Sequence, residues 1–176
     1  MESPTKTIAI WLGGTLEIAD TPEDESMPTT GFSSIGISKQ KQTTLEASEG
    51  ETLELKGSGG RTVDIVETEG GFLLKTVVIK PTALYKALGL TEDDYDSKGR
   101  MKVKTHIVQK RKAMRFIPLR VGAMGIEAPV TQVSFKPSGS EEEGDSAEVT
   151  FKFIFGAQNY WYERFKRLDD TAETPA

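Results

Sequence analysis

The feature that most constrains this fold is an alternation of apolar and polar residues with a period of two. It is strongest near the C terminus, where Val149, Phe151, Phe153 and Phe155 stand two residues apart. Because successive side chains of a β-strand point to opposite faces, this run predicts a strand with one apolar face. Weaker examples of the same spacing are Leu45 with Ala47, Leu53 with Leu55, and Val63 with Ile65.

Turn-forming segments separate these runs. Glu49–Glu51, Gly57–Gly60 and Glu69–Gly71 are short and rich in glycine or acid, which is typical of hairpin connections. The pattern predicts a mainly β chain, folded as a two-sheet β-sandwich or a barrel-like fold. Further strands are expected at Thr7–Trp11, Phe72–Lys80, Met101–Gln109, Ala113–Val121 and Thr131–Lys136.

One segment has helical rather than strand periodicity. Leu84, Tyr85 and Leu88 have the spacing of one helix face, Pro81 suits a first helical turn and Gly89 suits a stop. The sequence therefore predicts one short α-helix at about 81–89.

Other segments carry little apolar periodicity. Residues 20–36 are rich in Ser, Thr, Pro and acid and predict a long N-terminal loop, which we expect to order mainly at a contact with another subunit. Residues 157–168 are interpreted as a short helix or an arm. Together these predictions give a single β-sandwich domain over 1–170 and a disordered C-terminal tail at 171–176.

Composition excludes several classes of protein. The chain has no cysteine, so a disulfide scaffold, a thiol nucleophile and a thiolate metal site are all excluded. The first residues lack the basic flank and apolar length of a signal peptide, and no run approaches the ~20 apolar residues of a membrane span. These features favour a soluble protein that is kept inside a cell or built into a particle there.

Candidate catalytic or metal-binding motifs fail on their spacing. The single histidine, His106, stands between lysines on the polar side of a predicted strand, which favours a surface role. The segment 94–99 begins like a calcium loop but has Lys98 and Thr105 where ligands are required. Gly57–Gly60 leads into a strand rather than a helix, and the acids of 141–145 lie in a polar loop. We therefore predict no catalytic residue, no metal site and no cofactor.

Charge is unevenly distributed along the chain. The net charge is −5, yet the segment from Ser97 to Arg120 contains nine Lys or Arg residues and no acid. The rest of the chain holds 13 of the 22 basic residues against all 27 acidic ones. A self-assembling subunit could use such polarity to join basic to acidic faces, although a solvated basic hairpin would have the same sequence.

Two apolar groups are candidate interface residues. Tyr160, Trp161 and Tyr162 precede a basic run, and aromatic residues near arginine are typical of interfaces. The alternatives are core closure by a terminal helix, with Trp161 and Phe165 four residues apart, and a surface that binds sugar or nucleic acid. Phe32 and Ile35 are the strong apolar residues of the long loop.

The order of these features resembles that of the major tail tube proteins of long-tailed bacteriophages. A short first strand and a long loop precede the run SIGISKQKQTTLEASEGETLELKG, followed by the helix PTALYKALGL and the basic strands. The final elements are VTQVSFKPSGSEEEG and AEVTFKFIFG, so that the resemblance spans about 8–156. The resemblance rests on the order of the segments and on their residue patterns, because the family has no short diagnostic motif.

This resemblance implies a structural function without an active site. Members of the family form hexameric rings that stack into a hollow tube for DNA passage, and they are similar in fold to ring subunits of type VI secretion systems. The implied partners are further copies of the chain, other tail proteins and DNA in transit, with no membrane. The implied locations are the virion tail and, during assembly, the host cytoplasm. The alternative is a non-catalytic β-sandwich binding module for carbohydrate or protein.

The proposed tube also predicts where the charges lie. A basic lumen would grip the phosphates of passing DNA. We therefore expect a neutral or acidic lumen, with four basic side chains facing neighbouring subunits or the outside: Lys102, Lys104, Arg111 and Arg115.

Overall fold

The computed structural model describes residues 11, 13–50, 52–67, 70–91, 96–103, 110–142 and 144–168. Within them are ten β-strands and one α-helix. The elements are β1 (Gly14–Asp20), β2 (Ser33–Ser38), β3 (Thr44–Ser48), β4 (Thr52–Lys56), β5 (Thr62–Glu67), β6 (Gly71–Ile79), α1 (Thr82–Ala87), β7 (Lys110–Pro118), β8 (Met124–Ser140), β9 (Gly144–Phe153) and β10 (Glu163–Lys166). The prediction of a mainly β fold is confirmed. The strands expected at 7–11 and 101–109 lie largely outside the described residues, as does the tail at 171–176.

Six strands close into an antiparallel barrel. β1 pairs with β2 and β7, β7 pairs with β8, β8 pairs with β9, and β9 pairs with β6. The ring is completed between β2 and β6 by two residue pairs, Ile37 with Ile79 and Ser38 with Val78. Of the two predicted architectures, the barrel-like one describes these pairings.

The barrel encloses the apolar core. Its interior is filled from every wall by buried side chains, because the inward residues alternate with outward ones along each strand. The period-two run predicted this correctly for Val149, Phe151 and Phe153, whereas Phe155 lies beyond the end of β9 and is half exposed. Other core residues include Leu16, Ile18, Ile35, Leu74, Met114, Phe116 and Ile126.

The short helix α1 is confirmed, and it packs against the barrel. Leu84, Tyr85, Leu88 and Leu90 are buried in the same core as the strands. The helix ends where the amide of Gly89 donates to the carbonyl of Lys86 and the amide of Leu90 to that of Tyr85. Gly89 has φ +68°, a conformation that glycine adopts without steric cost, so the predicted stop signal acts as expected.

The loop predicted at 20–36 is shorter than expected. Asp20 ends β1 and Ser33 begins β2, and Ile35 belongs to β2, where it is fully buried. Ile35 was predicted to be an interface residue; that prediction is wrong, because its side chain fills the core of its own subunit.

The remaining loop, residues 21–32, is anchored within the subunit. The amide of Ala157 donates to the carboxylate of Glu25 at 2.7 Å, and the side chain of Gln158 donates to the carbonyl of Asp24 at 2.9 Å. The hydroxyl of Thr21 donates to the carbonyl of Pro129 at 3.1 Å. The expectation that this loop orders mainly at another subunit is therefore wrong. Its polar side chains bond to backbone groups that are distant in sequence.

The C-terminal segment forms a strand and not the helix that was one of its two interpretations. β10 pairs with the start of β8, with Phe165 opposite Gly125. A Cβ at Gly125 would lie 2.3 Å from the Phe165 ring, so glycine is what lets the ring sit directly on the β8 backbone. This long-range strand pairing overrides the four-residue spacing of Trp161 and Phe165, which would favour a helix.

The stability of the barrel depends on its central aromatic side chains, which can be tested with a matched pair. Phe116 is fully buried and contacts Trp11 with ring centroids 4.7 Å apart. We expect Phe116→Ala to lower the free energy of unfolding by about 3–5 kcal/mol, because it leaves a cavity. Phe155→Ala, at a half-exposed position, should cost only about 1 kcal/mol. Urea denaturation measures both, and equal losses would contradict the assigned core.

Candidate assembly surface

The described residues do not bring together a set of metal-binding side chains. Among them, no group of three or more His, Asp or Glu side chains is placed to hold a metal ion. His106 lies outside the described part of the chain. Asp96 accepts backbone hydrogen bonds from Lys98 and Arg100, at 2.9 and 2.8 Å, so it caps a turn. The segment Gly57–Gly60 forms the predicted hairpin turn, with positive φ at Gly59 and Gly60.

The basic strand β7 finds its counter-charges inside the subunit. Antiparallel pairing places Arg115 opposite Glu17 and Lys112 opposite Asp20. The guanidinium of Arg115 donates from Nε and Nη2 to one carboxylate oxygen of Glu17, at 3.1 and 2.6 Å, and Lys112 is ion-paired with Asp20. Arg115 and Lys112 therefore have counter-charges within their own subunit; that the basic side chains face neighbouring subunits or the outside stays a prediction.

Two predicted interface residues, Arg111 and Phe32, take part in the same internal network. Arg111 is exposed and its Nη1 lies 3.4 Å from a carboxylate oxygen of Glu25. The guanidinium carbon of Arg115 lies 4.4 Å from the centroid of the half-buried Phe32 ring, a cation–π contact. Phe32 and Arg111 therefore hold the 21–32 loop on its own barrel. Lys102 is exposed, and Lys104 lies outside the described residues.

The C-terminal aromatic residues form a cluster that is half-buried against the barrel. Tyr162 lies between Phe72 and Phe153, at centroid distances of 5.2 and 5.4 Å, and Trp161 lies 5.8 Å from Phe72. Tyr160 is half-buried, and its pKa is raised by desolvation and by the nearby carboxylates of Glu163 and Glu127. These rings close the core on one side, as the core interpretation expects. That their solvent-facing side forms an interface stays a prediction.

An open cleft lies beside this cluster, at the root of the β4–β5 hairpin. It has a volume of about 400 Å³ and is walled by Phe72, Phe155 and Trp161. Ser48, also in its lining, uses its hydroxyl both to accept from the Gly71 amide at 2.9 Å and to donate to the Gly71 carbonyl at 3.1 Å. The cleft is therefore mainly aromatic, and its serine is engaged by backbone.

The β4–β5 hairpin exposes three large apolar side chains. β4 and β5 form a separate two-stranded sheet whose hydrogen bonds join only these two strands. Leu53, Leu55 and Ile65 expose 57%, 63% and 55% of their surface. Leu53 and Leu55 share one face of the hairpin, and Ile65, which pairs with Glu54, lies on the other.

Sequence reasoning identified this hairpin but missed its exposure. Alternation predicts which side chains share a face and is silent about whether a second layer covers that face. The available signal was charge, because residues 49–69 contain six acids and two bases, an unusual surrounding for leucines that enter a core.

Known proteins add no family assignment. No protein-family model matches the sequence, and no curated protein sequence is significantly similar to it. Within the described residues, no helix has the length and apolarity to span a membrane.

The Arg115–Glu17 pair offers a test of the internal charge network. Their side chains retain 26% and 23% exposure, so water screens the pair only partly. A double-mutant cycle with Arg115→Ala and Glu17→Ala should give a coupling energy of about 0.5–3 kcal/mol in unfolding experiments.

The control is the Lys75–Glu46 pair, which has a 2.7 Å contact but 46% exposure on both sides. Its coupling should be smaller than that of Arg115–Glu17, and should fall in high salt. A coupling at Arg115–Glu17 no larger than at this surface pair would contradict the inferred role of the network.

Proposed function

We propose that this chain is the structural subunit of a phage-type tail tube, which assembles into stacked rings around a channel for DNA. The proposal begins from the order of sequence features that resembles the tail tube family. A mainly β barrel with one packed helix is compatible with that resemblance. The subunit has no catalytic role in this proposal; its activity is to associate with itself.

The observation that carries the proposal is the exposed β4–β5 hairpin. A two-stranded hairpin is at best marginally stable alone in water, and this one presents two adjacent leucines on one face. Contiguous exposed apolar side chains mark interaction sites in folded proteins. Burial of this face against protein would stabilise the hairpin and join two molecules in one step.

The proposed partners follow from the same assembly. They are further copies of this chain in a six-membered ring, copies in stacked rings, and other tail proteins at the ends of the tube. DNA passes through without specific binding. The proposed locations are the virion tail and, before completion, the cytoplasm of the host.

The aromatic cleft supports a second candidate function, a binding module for carbohydrate or protein. Aromatic faces such as those of Phe155 and Trp161 stack on flat apolar ligand surfaces. Carbohydrate binding also needs convergent polar groups, and the hydroxyl of Ser48 is already used by Gly71. The lining therefore suits an apolar side chain better than a sugar, which favours the assembly proposal.

Assembly should depend on the hairpin leucines. The purified chain is expected to form rings or filaments as its concentration rises, visible by light scattering and electron microscopy. Leu53→Asp with Leu55→Asp should raise the midpoint concentration for assembly at least about tenfold, because two leucine side chains lose apolar burial worth about 1.5–3 kcal/mol each.

The matched control is Leu168→Asp, which changes an equally exposed leucine outside the hairpin and should leave the midpoint unchanged. Circular dichroism should show an intact β fold in all variants. A wild-type chain that stays monomeric at the highest attainable concentration would overturn the proposal. Normal assembly of the double variant would remove the hairpin from it.

A further inference from the structure

A second apolar surface lies far from the hairpin, on the outer side of β1 and β2. It is an open cleft of about 500 Å³, whose lining includes Gly13, Gly14, Thr15, Gly36, Ile37 and Leu119. Ile37 and Leu119 are 68% and 60% exposed, so two large aliphatic side chains form its walls. We call this surface the glycine cleft.

Glycine residues keep the floor of the cleft open. A Cβ at Gly13 would lie 3.2 Å from Cδ1 of Leu119, so a side chain there would crowd one wall of the cleft. Gly13 and Gly36 have φ values of +99° and +109°, which disfavour other residues. The depression is therefore built by the backbone, and a side chain from elsewhere can enter it.

The charges around the glycine cleft complement those of the hairpin. Lys41 and Arg120 are exposed, and each is adjacent in sequence to a residue of the lining, Gln40 and Leu119 respectively. The hairpin segment 49–69 carries six acids and two bases. Contact between the acidic hairpin and a cleft with basic neighbours is electrostatically favoured over contact of hairpin with hairpin or of cleft with cleft.

The hairpin of the same molecule does not occupy the cleft. Leu53 and Leu55 are 57% and 63% exposed, and Ile37 of the cleft is 68% exposed, so both surfaces are uncovered in one subunit. Pairing with β6 places Ile37 opposite Ile79 and Ser48 opposite Gly71, eight residues apart on one strand, which is about 26 Å. The hairpin and the cleft are therefore both open to another copy.

We propose that the glycine cleft receives the Leu53–Leu55 face of the β4–β5 hairpin from a second copy of this chain. This inference rests on the proposed self-assembly and adds the receiving surface to it. Hairpin and cleft are different surfaces of one subunit, so the contact is head-to-tail. Each bound molecule presents a further free hairpin or cleft, and the contact can be repeated until a ring or filament results.

Single-cysteine cross-linking tests the contact directly, because the native chain has no cysteine. A Leu55→Cys chain is mixed with an Ile37→Cys chain under assembling conditions and oxidised. We expect a disulfide-linked heterodimer, since docking brings the two positions within the roughly 7 Å that a disulfide can bridge between Cα atoms. The control replaces Leu55→Cys by Ile65→Cys, on the opposite face of the hairpin, and should give a several-fold lower yield.

A competing receiver is included in the same experiment. Ala47→Cys places the thiol in the aromatic cleft beside Trp161. Preferential linkage of Leu55→Cys to Ala47→Cys, or assembled particles without Leu55–Ile37 linkage, would overturn the glycine cleft while leaving self-assembly intact. A monomeric wild-type chain that yields no linkage would overturn the proposed function as well.

A substitution within the cleft gives an independent readout. Leu119→Asp adds a carboxylate at an exposed position, so the subunit should fold with unchanged circular dichroism. Assembly should require at least several-fold more protein than wild type, and mixing with wild type should not restore it. Unchanged assembly of Leu119→Asp would contradict the proposal even if the cross-link formed.

Discussion

The whole architecture depends on the pairing of one long strand, β8, along both of its edges. Over 17 residues it bonds to β7 on one side, and to β9 and then β10 on the other. Because β8 pairs along both edges, it holds the basic strand β7 on one side and the strands β9 and β10 on the other. Because the hydrogen bonds continue from β8 through β7, β1, β2, β6 and β9, the inward faces of these six strands contribute to a single core.

The sequence predicts the local elements well and their lateral partners poorly. Helix α1 and the turn at Gly57–Gly60 depend on neighbouring residues, and both are where the pattern places them. By contrast, the pairing of Arg115 with Glu17 joins residues 98 positions apart, and only the register of β1 against β7 reveals it. Ile35 was assigned to a loop for the same reason. Its neighbours are mostly Ser and Gly, so the sequence shows no strand pattern there, and β2 forms only through its pairing with β1 and β6.

The candidate assembly surface could be anticipated only in part from the sequence. Alternation placed Leu53 and Leu55 on one face, whereas the acidic charge of residues 49–69 was a signal that the pattern analysis did not use. Exposure of that face depends on the absence of a covering layer within the described fold, which is a property of the arrangement of all strands. The glycine cleft is harder still, because it combines residues from β1, β2 and the end of β7 that no linear motif connects.

The shortest seam of the barrel has a consequence for how the subunit yields under load. Between β2 and β6 only two residue pairs close the ring, and α1 packs beside β2 at this point, with its buried leucines in the core. Because fewer residue pairs join β2 to β6 than join any other two neighbouring strands of the barrel, we expect these two strands to separate first when the subunit opens. Helix α1 covers the β2–β6 seam by packing against β2, so an opening there is limited to one side of the barrel. In an assembly of such subunits, each copy would open between β2 and β6, while the strands paired around β8 would stay hydrogen-bonded.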